Sequence, residues 1–177
     1  MSTSFMRLLV LLLLFLPTAL FAQTPASMPT LPAAVPSSMR TYALRLRPGQ
    51  DVRQQLSAFV AQHQIRAGAV LTGVGSLTQV TLRLANQDEP SVYRGHFEIV
   101  SLVGTLSVNG SHLHLAVADS TGRTIGGHLL DGSLVYTTAE LVLGELTELD
   151  FQRELDPAFG YRELTVYPIS PTSKPGK

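Results

Sequence analysis

Between Ser111 and Gly132 the chain reads "SHLHLAVADSTGRTIGGHLLDG", with apolar residues at alternate positions on both sides of a turn-like "DSTGR". Leu113, Leu115 and Val117 precede the turn, and Ile125 and Leu129 follow it. A period of two sends alternate side chains to opposite faces of a strand, so one residue of slip would turn all of these groups out to solvent. The pattern leaves one economical arrangement: two antiparallel strands joined by a tight loop, apolar on one face. Ser120-Thr121-Gly122 fits a three-residue hairpin loop, with Gly122 in the left-handed conformation such loops need. Asp119 then faces Arg123, and His114 lies directly opposite His128.

The polar face of that hairpin collects three of the chain's five histidines. His112 sits two residues from His114 on the same strand and the same face. Directly opposed residues have Cβ atoms about 4.5–5.5 Å apart, and neighbours two along a strand are separated by roughly 6.6 Å. Imidazoles on such a triangle can converge on one ion at metal–nitrogen distances of about 2.0–2.1 Å. Gly126, Gly127 and Ala116 flank them and are expected to leave space above the sheet. A slip of two residues would make the direct pair diagonal without changing the face. The competing reading is three polar strand residues, hydrogen-bonded or solvated.

The remaining domain reads as strands with one helix. "RTYALRLRPG" alternates Tyr42, Leu44 and Leu46 with polar or small residues, the pattern of a strand. Asp51 is an N-cap for "VRQQLSAFVAQHQI", in which Val52, Leu56, Phe59 and Val60 form one helical face. His63 lies off that stripe and reads as a surface residue. "AGAVLTGVGSLTQVTLRLA" reads as two strands joined by a turn at Gly73 and Gly75, and "YRGHFEIVSLVGTLSVNG" as another strand pair. The two glycines lack the third glycine and following helix of a nucleotide fingerprint. Thr137, Ala139, Leu141 and Leu143 alternate, which favours a strand over the helix-friendly "AELVLGEL"; "YRELTVYPI" closes the domain as a strand. The expected fold is α+β, a central, largely antiparallel β-sheet with one or two flanking helices.

The ends have other compositions. Residues 1–22 read as a signal peptide: Arg7 precedes the apolar "LLVLLLLFLPTALFA", with cleavage expected after Ala22. An uncleaved anchor is the alternative, although a spanning helix needs roughly 20 apolar residues. Residues 23–39, with prolines at 25, 29, 32 and 36, form a Pro-rich linker. The domain proper is expected over 40–169, and 170–177 as a disordered tail. Periplasmic or secreted localisation follows from export, with no membrane association after cleavage. The chain has no cysteine, which excludes disulfides, thiolate metal sites and a lipoprotein anchor. Thirteen basic residues balance thirteen acidic ones, and loss of Arg7 would leave the mature chain near −1. With no basic block to neutralise phosphates, nucleic acid is not an expected partner.

"GHFEIVSLVGTLS", "HLHLAVADSTGRTIGGHLLDG" and "ELVLGEL…FQRELDPAFGYREL" together resemble the PPC domain, a domain conserved between plants and prokaryotes. In plants that domain accompanies AT-hook motifs in nuclear proteins; in prokaryotes it often stands alone. The resemblance covers nearly all of residues 40–169 and implies an antiparallel-sheet α+β fold assembled as a homotrimer. It also implies metal binding, since stand-alone prokaryotic members look like metal binders through the histidines that match His112, His114 and His128. This chain lacks the Arg-Gly-Arg-Pro hook of the DNA-associated branch.

Two functions compete. The first is an exported, trimeric metal-binding protein holding a divalent metal, zinc above all, with an open position for water or a small-molecule ligand. Glu98, Asp119 and Glu140 are then candidate bases, or partners that orient a ligand histidine. The second is a non-catalytic interaction and assembly module; DNA binding, as in the plant branch, is a weaker third. Cupins also pair H-x-H with a later histidine, but their motif wants a glutamate where this chain has "LAVAD". G-x-S-x-G, the nucleophile elbow of serine hydrolases, is absent. Whether the chain is an enzyme is not legible at this level.

Overall fold

A computed structural model describes residues 34–169. The expected signal peptide, most of the Pro-rich linker and the expected tail lie outside the described residues. Eight strands and one helix follow in the order β1 (Met39–Leu46), α1 (Val52–Gln62), β2 (Gly68–Arg83), β3 (Pro90–Leu106), β4 (His112–Ala118), β5 (Thr124–Leu129), β6 (Leu134–Leu146), β7 (Leu149–Leu155) and β8 (Arg162–Pro168). Six form an antiparallel sheet of order β1-β6-β2-β3-β4-β5, and β7 and β8 form a separate ribbon. The α+β class expected from the alternation is the one observed. No helix among the described residues is long and apolar enough to cross a membrane.

The sheet curls back on itself. Leu82 and Arg83, at the end of β2, pair with Leu129 and His128 of β5. This closes β2, β3, β4 and β5 around one apolar interior. Leu77, Val80, Leu82, Leu102, Leu115 and Val117 are essentially inaccessible inside it. The helix buries Val52, Leu56 and Val60 against the same core. Asp51 caps it by accepting a hydrogen bond from the Gln54 amide at 3.0 Å. A second oxygen of Asp51 accepts from the Gly132 amide, tying the helix start to the β5–β6 turn.

Two expectations fail here, for one reason. Each of the segments read as a strand pair is a single long strand: β2 has 16 residues and β3 has 17. The glycines taken for a turn lie within β2, where Gly75 has φ +138 at a register shift against β6. A Cβ there would stand 2.1 Å from the Thr138 carbonyl oxygen. Glycine at this position permits a bulge that bends the strand while leaving it paired on both sides. At the other end of the domain, β1 begins at Met39, one residue inside the expected linker. Just before it, the Ser38 amide and hydroxyl donate to the Glu148 carboxylate at 2.7 and 3.2 Å.

Candidate metal centre

The β4–β5 hairpin forms in the register its sequence implies. His114 faces His128, Ala116 faces Gly126 and Val117 faces Ile125. The Asp119 amide donates to the Arg123 carbonyl at 3.0 Å, and Gly122 has φ +81. Leu113, Leu115, Val117 and Leu129 are buried on the inner face, and Ile125 packs against them. The three histidines therefore stand together on the outer face, His112 and His114 exposed and His128 half-buried.

His112 Nε2 lies 3.1 Å from His128 Nδ1 and 3.1 Å from His114 Nε2. Donor atoms of all three residues fall within 4.8 Å of one another. The rings of His112 and His128 stack, with centroids 5.0 Å apart, and His114 stands edge-on to both. A neutral imidazole nitrogen carries either one hydrogen or one lone pair. His112 Nε2 cannot therefore make two linear hydrogen bonds to the nitrogens it faces. Three ring nitrogens gathered within 4.8 Å of one another suit a cation. At metal–nitrogen distances of about 2.0–2.1 Å, ligand nitrogens stand roughly 2.9 Å apart on an octahedral face and roughly 3.3 Å apart on a tetrahedral edge. The two short separations of 3.1 Å lie between those values, and with all three donor atoms within 4.8 Å the group could hold a divalent ion.

Electrostatics favour the ligating form. Burial pushes the His112 pKa down, helped by the charges of His114, Arg153 and Arg83 and opposed by Glu163. Burial likewise lowers His128, with Arg83 the next contributor. Neutral imidazole is the state a metal requires.

The three carboxylates proposed from sequence do not join this cluster. Among the described residues none hydrogen-bonds to a triad histidine. Glu98 faces Ala118 on the β3–β4 ladder, whereas His114 faces Val103; those five residues along β3 amount to roughly 16 Å. Asp119 is occupied by its own turn. Its Oδ1 accepts from the Thr121 amide, the Thr121 hydroxyl and the Arg123 amide at 2.9, 2.6 and 3.1 Å. Those bonds, the Thr121 hydroxyl first, hold its pKa below the ordinary carboxylate value. Glu140 stands on β6 between Arg45 of β1 and Val74 of β2, away from both histidine strands. The glycines also divide their labour. Gly126 and Ala116 keep the histidine face low, but a Cβ on Gly127 would lie 2.7 Å from the Arg83 carbonyl oxygen, so Gly127 lets β5 close against β2. Of the other histidines, His63 is exposed and packs at a tilt on Phe59, with ring centroids 4.3 Å apart, and His96 packs likewise on Tyr136 at 4.3 Å.

Sequence reasoning missed the residues beside the triad. A cleft of about 600 Å³ opens along His112 and His128, lined also by Arg83, Arg153, Arg162 and Glu163. Arg83 comes from β2, Arg153 from β7 and Arg162 from β8. No local motif marks them. The β2–β5 pairing, which sets Arg83 against His128, was the sole register that could have revealed one of them.

Fold and donor set define a class: a small α+β domain whose curled antiparallel sheet carries three convergent histidines on its outer face. The chain belongs to the Plants and Prokaryotes Conserved (PCC) domain family, whose model matches residues 33–147; this is the family named PPC above. A bifunctional protein GlmU from Synechococcus sp. is 48% identical over 159 residues, covering 90% of this chain and 25% of that protein. AT-hook motif nuclear-localized protein 13 of Arabidopsis thaliana is 34% identical over 105 residues, 53% of this chain and 24% of the plant protein. The chain thus spans about a quarter of the length of these relatives. A hypothetical protein from Salmonella cholerae-suis superposes with a TM-score of 0.75 at 49% identity, covering 76% of this chain and 97% of its own. A metal-containing protein from Archaeoglobus fulgidus shares the fold, with a TM-score of 0.66 at 21% identity over 75% of this chain and 99% of its own.

Proposed function

We propose that this chain is an exported, trimeric metal-binding member of its family, holding one divalent ion through His112, His114 and His128. The convergence of three imidazole nitrogens around His112 Nε2 carries this reading. The Archaeoglobus fulgidus protein of the same fold is described as metal-containing, which is consistent with it. Zinc is the ion we favour, since it accepts three neutral imidazoles and leaves a position open; nickel, copper and iron share the preference for nitrogen. When bound, such an ion acidifies a coordinated water or polarises a ligand oxygen. Elemental analysis of wild type and His114→Ala is the direct test. Equal metal in both, or none in reconstituted wild type, would return the histidines to ordinary strand residues.

Export rests on the Arg7-led apolar run that ends at Ala22. An N-terminus near Gln23 in mass spectra of secreted or periplasmic material supports it; an intact Met1 in a membrane fraction contradicts it. Self-association is supported by Leu71, Val74, Val100 and Val103, all 45–59% exposed on the adjacent strands β2 and β3. Light scattering should give a trimeric mass, and a monomer at micromolar concentration would remove the assembly. DNA is not the ligand on this reading. The plant relatives are named for an AT-hook that this chain lacks, and its charge balance is neutral. A submicromolar, salt-sensitive shift of duplex DNA would overturn that point.

A further inference from the structure

We infer that the cleft beside the triad takes a small ligand bearing a carboxylate or phosphate, whose oxyanion is held by Arg83, Arg153 and Arg162. The inference deepens the metal-site reading and rests on it for the orientation of the ligand, whose other end faces the histidines. The ion pairs among the described residues are Arg40–Glu145, Arg53–Asp131 and Arg66–Asp150. None of the three cleft arginines takes part in one. Three guanidinium groups thus share a cleft with one carboxylate, Glu163. Arg53 also lines it, but its charge is matched by Asp131 at 2.6 Å. The remaining side chains leave an excess of positive charge next to His112 and His128.

Two of the arginines are fixed in place rather than waving in solvent. Arg153 Nη2 donates to Thr105 Oγ1 at 2.7 Å, and Arg162 Nη1 donates to the Arg153 carbonyl at 3.0 Å. Each contact uses one of five guanidinium N–H donors, so most of each fork remains available. Arg83 is half-buried, set by the β2–β5 ladder directly against His128. A planar fork held at fixed position matches the two oxygens of a carboxylate or phosphate, and repulsion among like charges is relieved when an anion arrives. Size limits the ligand. A cleft of about 600 Å³ suits a small molecule, and a chain with no net charge has no long basic track for a polyanion.

The test is calorimetric titration of the full chain, metal-loaded, with inorganic phosphate and with malonate as separate probes. Saturable binding of at least one is expected, and the one that binds identifies the anion class. Arg83→Gln and Arg162→Gln should each weaken it by about tenfold or more, the loss expected for a charge-assisted hydrogen bond, while metal content stays at the wild-type level. Arg162 is exposed, so Arg162→Gln decides the matter if Arg83→Gln misfolds. No saturable binding of either probe, or wild-type affinity in folded variants, overturns the inference. A chelator-stripped sample separates the two readings. Arginine-dependent binding in a protein that never holds metal keeps the anion cleft and removes the metal site. Binding that needs metal but ignores both arginines places the anion on the ion alone and overturns the role given to the cleft.

Discussion

The β4–β5 hairpin and the β2–β3 pair belong to one sheet but are held by different means. The hairpin strands have seven and six residues, joined by a loop whose Gly122 has φ +81 and open space where a Cβ would be. Its register is a property of its own turn and its own alternation. The β2–β3 strands have 16 and 17 residues, and their register shifts between Leu77 and Gln79. The irregularities of β2 lie along its pairing with β6, on the edge where β5 later joins, and that of β3 lies along its pairing with β4. Local chemistry can build the first region; the second needs its neighbours. The histidine site joins the two kinds of order, since its imidazoles come from the hairpin and the arginine beside His128 comes from the closed sheet.

The largest effect that would test this division is loss of metal from His114→Ala. The residue is exposed on the outer face, so the hairpin should keep its fold, with stability within about 0.5–1 kcal/mol of wild type. Elemental analysis beside thermal unfolding reads both quantities. A large stability loss in the stripped protein would mean that the outer face also holds the hairpin together.

Next in size is Gly75→Ala. Its Cβ would overlap the Thr138 carbonyl and the Ala139 backbone, at a φ that L residues avoid. Destabilisation on the order of 3 kcal/mol or more is expected from strain and overpacking together. Urea unfolding measures it, and a cost under about 1 kcal/mol would show that β2 can straighten without harm. Gly122→Ala gives the smaller counterpart. It carries only the left-handed backbone cost, about 1–2 kcal/mol, because nothing stands within 4 Å of the added Cβ. If the two substitutions cost the same, the contrast between local and tertiary control fails.

The smallest expected effect is a displacement in pH. His112 and His128 both have pKa values lowered from 6.5. The neutral form therefore persists below that value, and metal release on acidification should have its midpoint on the acid side of 6.5. The metal-free protein should follow the same sign. Its folded state binds fewer protons than the unfolded chain in that window, so the contribution to stability is full above 6.5 and is lost as pH falls through the lowered values. Metal content and unfolding midpoints followed from pH 8 down to about pH 4 would check both, and release centred above 6.5 would contradict the electrostatic picture.

Residue by residue, the sequence by itself determined the hairpin, its face and the histidine triangle. Leu113, Leu115 and Val117 can be buried only in one parity, and Gly122 sets the one loop that keeps it. It also determined the helix, through Asp51 and the stripe Val52, Leu56, Phe59 and Val60. Tertiary structure alone decided that Gly73 lies within a strand and that Gly75 bends that strand instead of ending it, because a glycine's effect depends on which backbone approaches it. It alone separated Glu98 and Glu140 from the triad, since a carboxylate's alternation gives its face but not its distance along the sheet. And it alone brought Arg83, Arg153 and Arg162 to the histidines: the β2–β5 pairing sets Arg83 against His128, and the β7–β8 ribbon reaches the cleft through contacts such as Arg153 to Thr105, both between residues far apart in the chain.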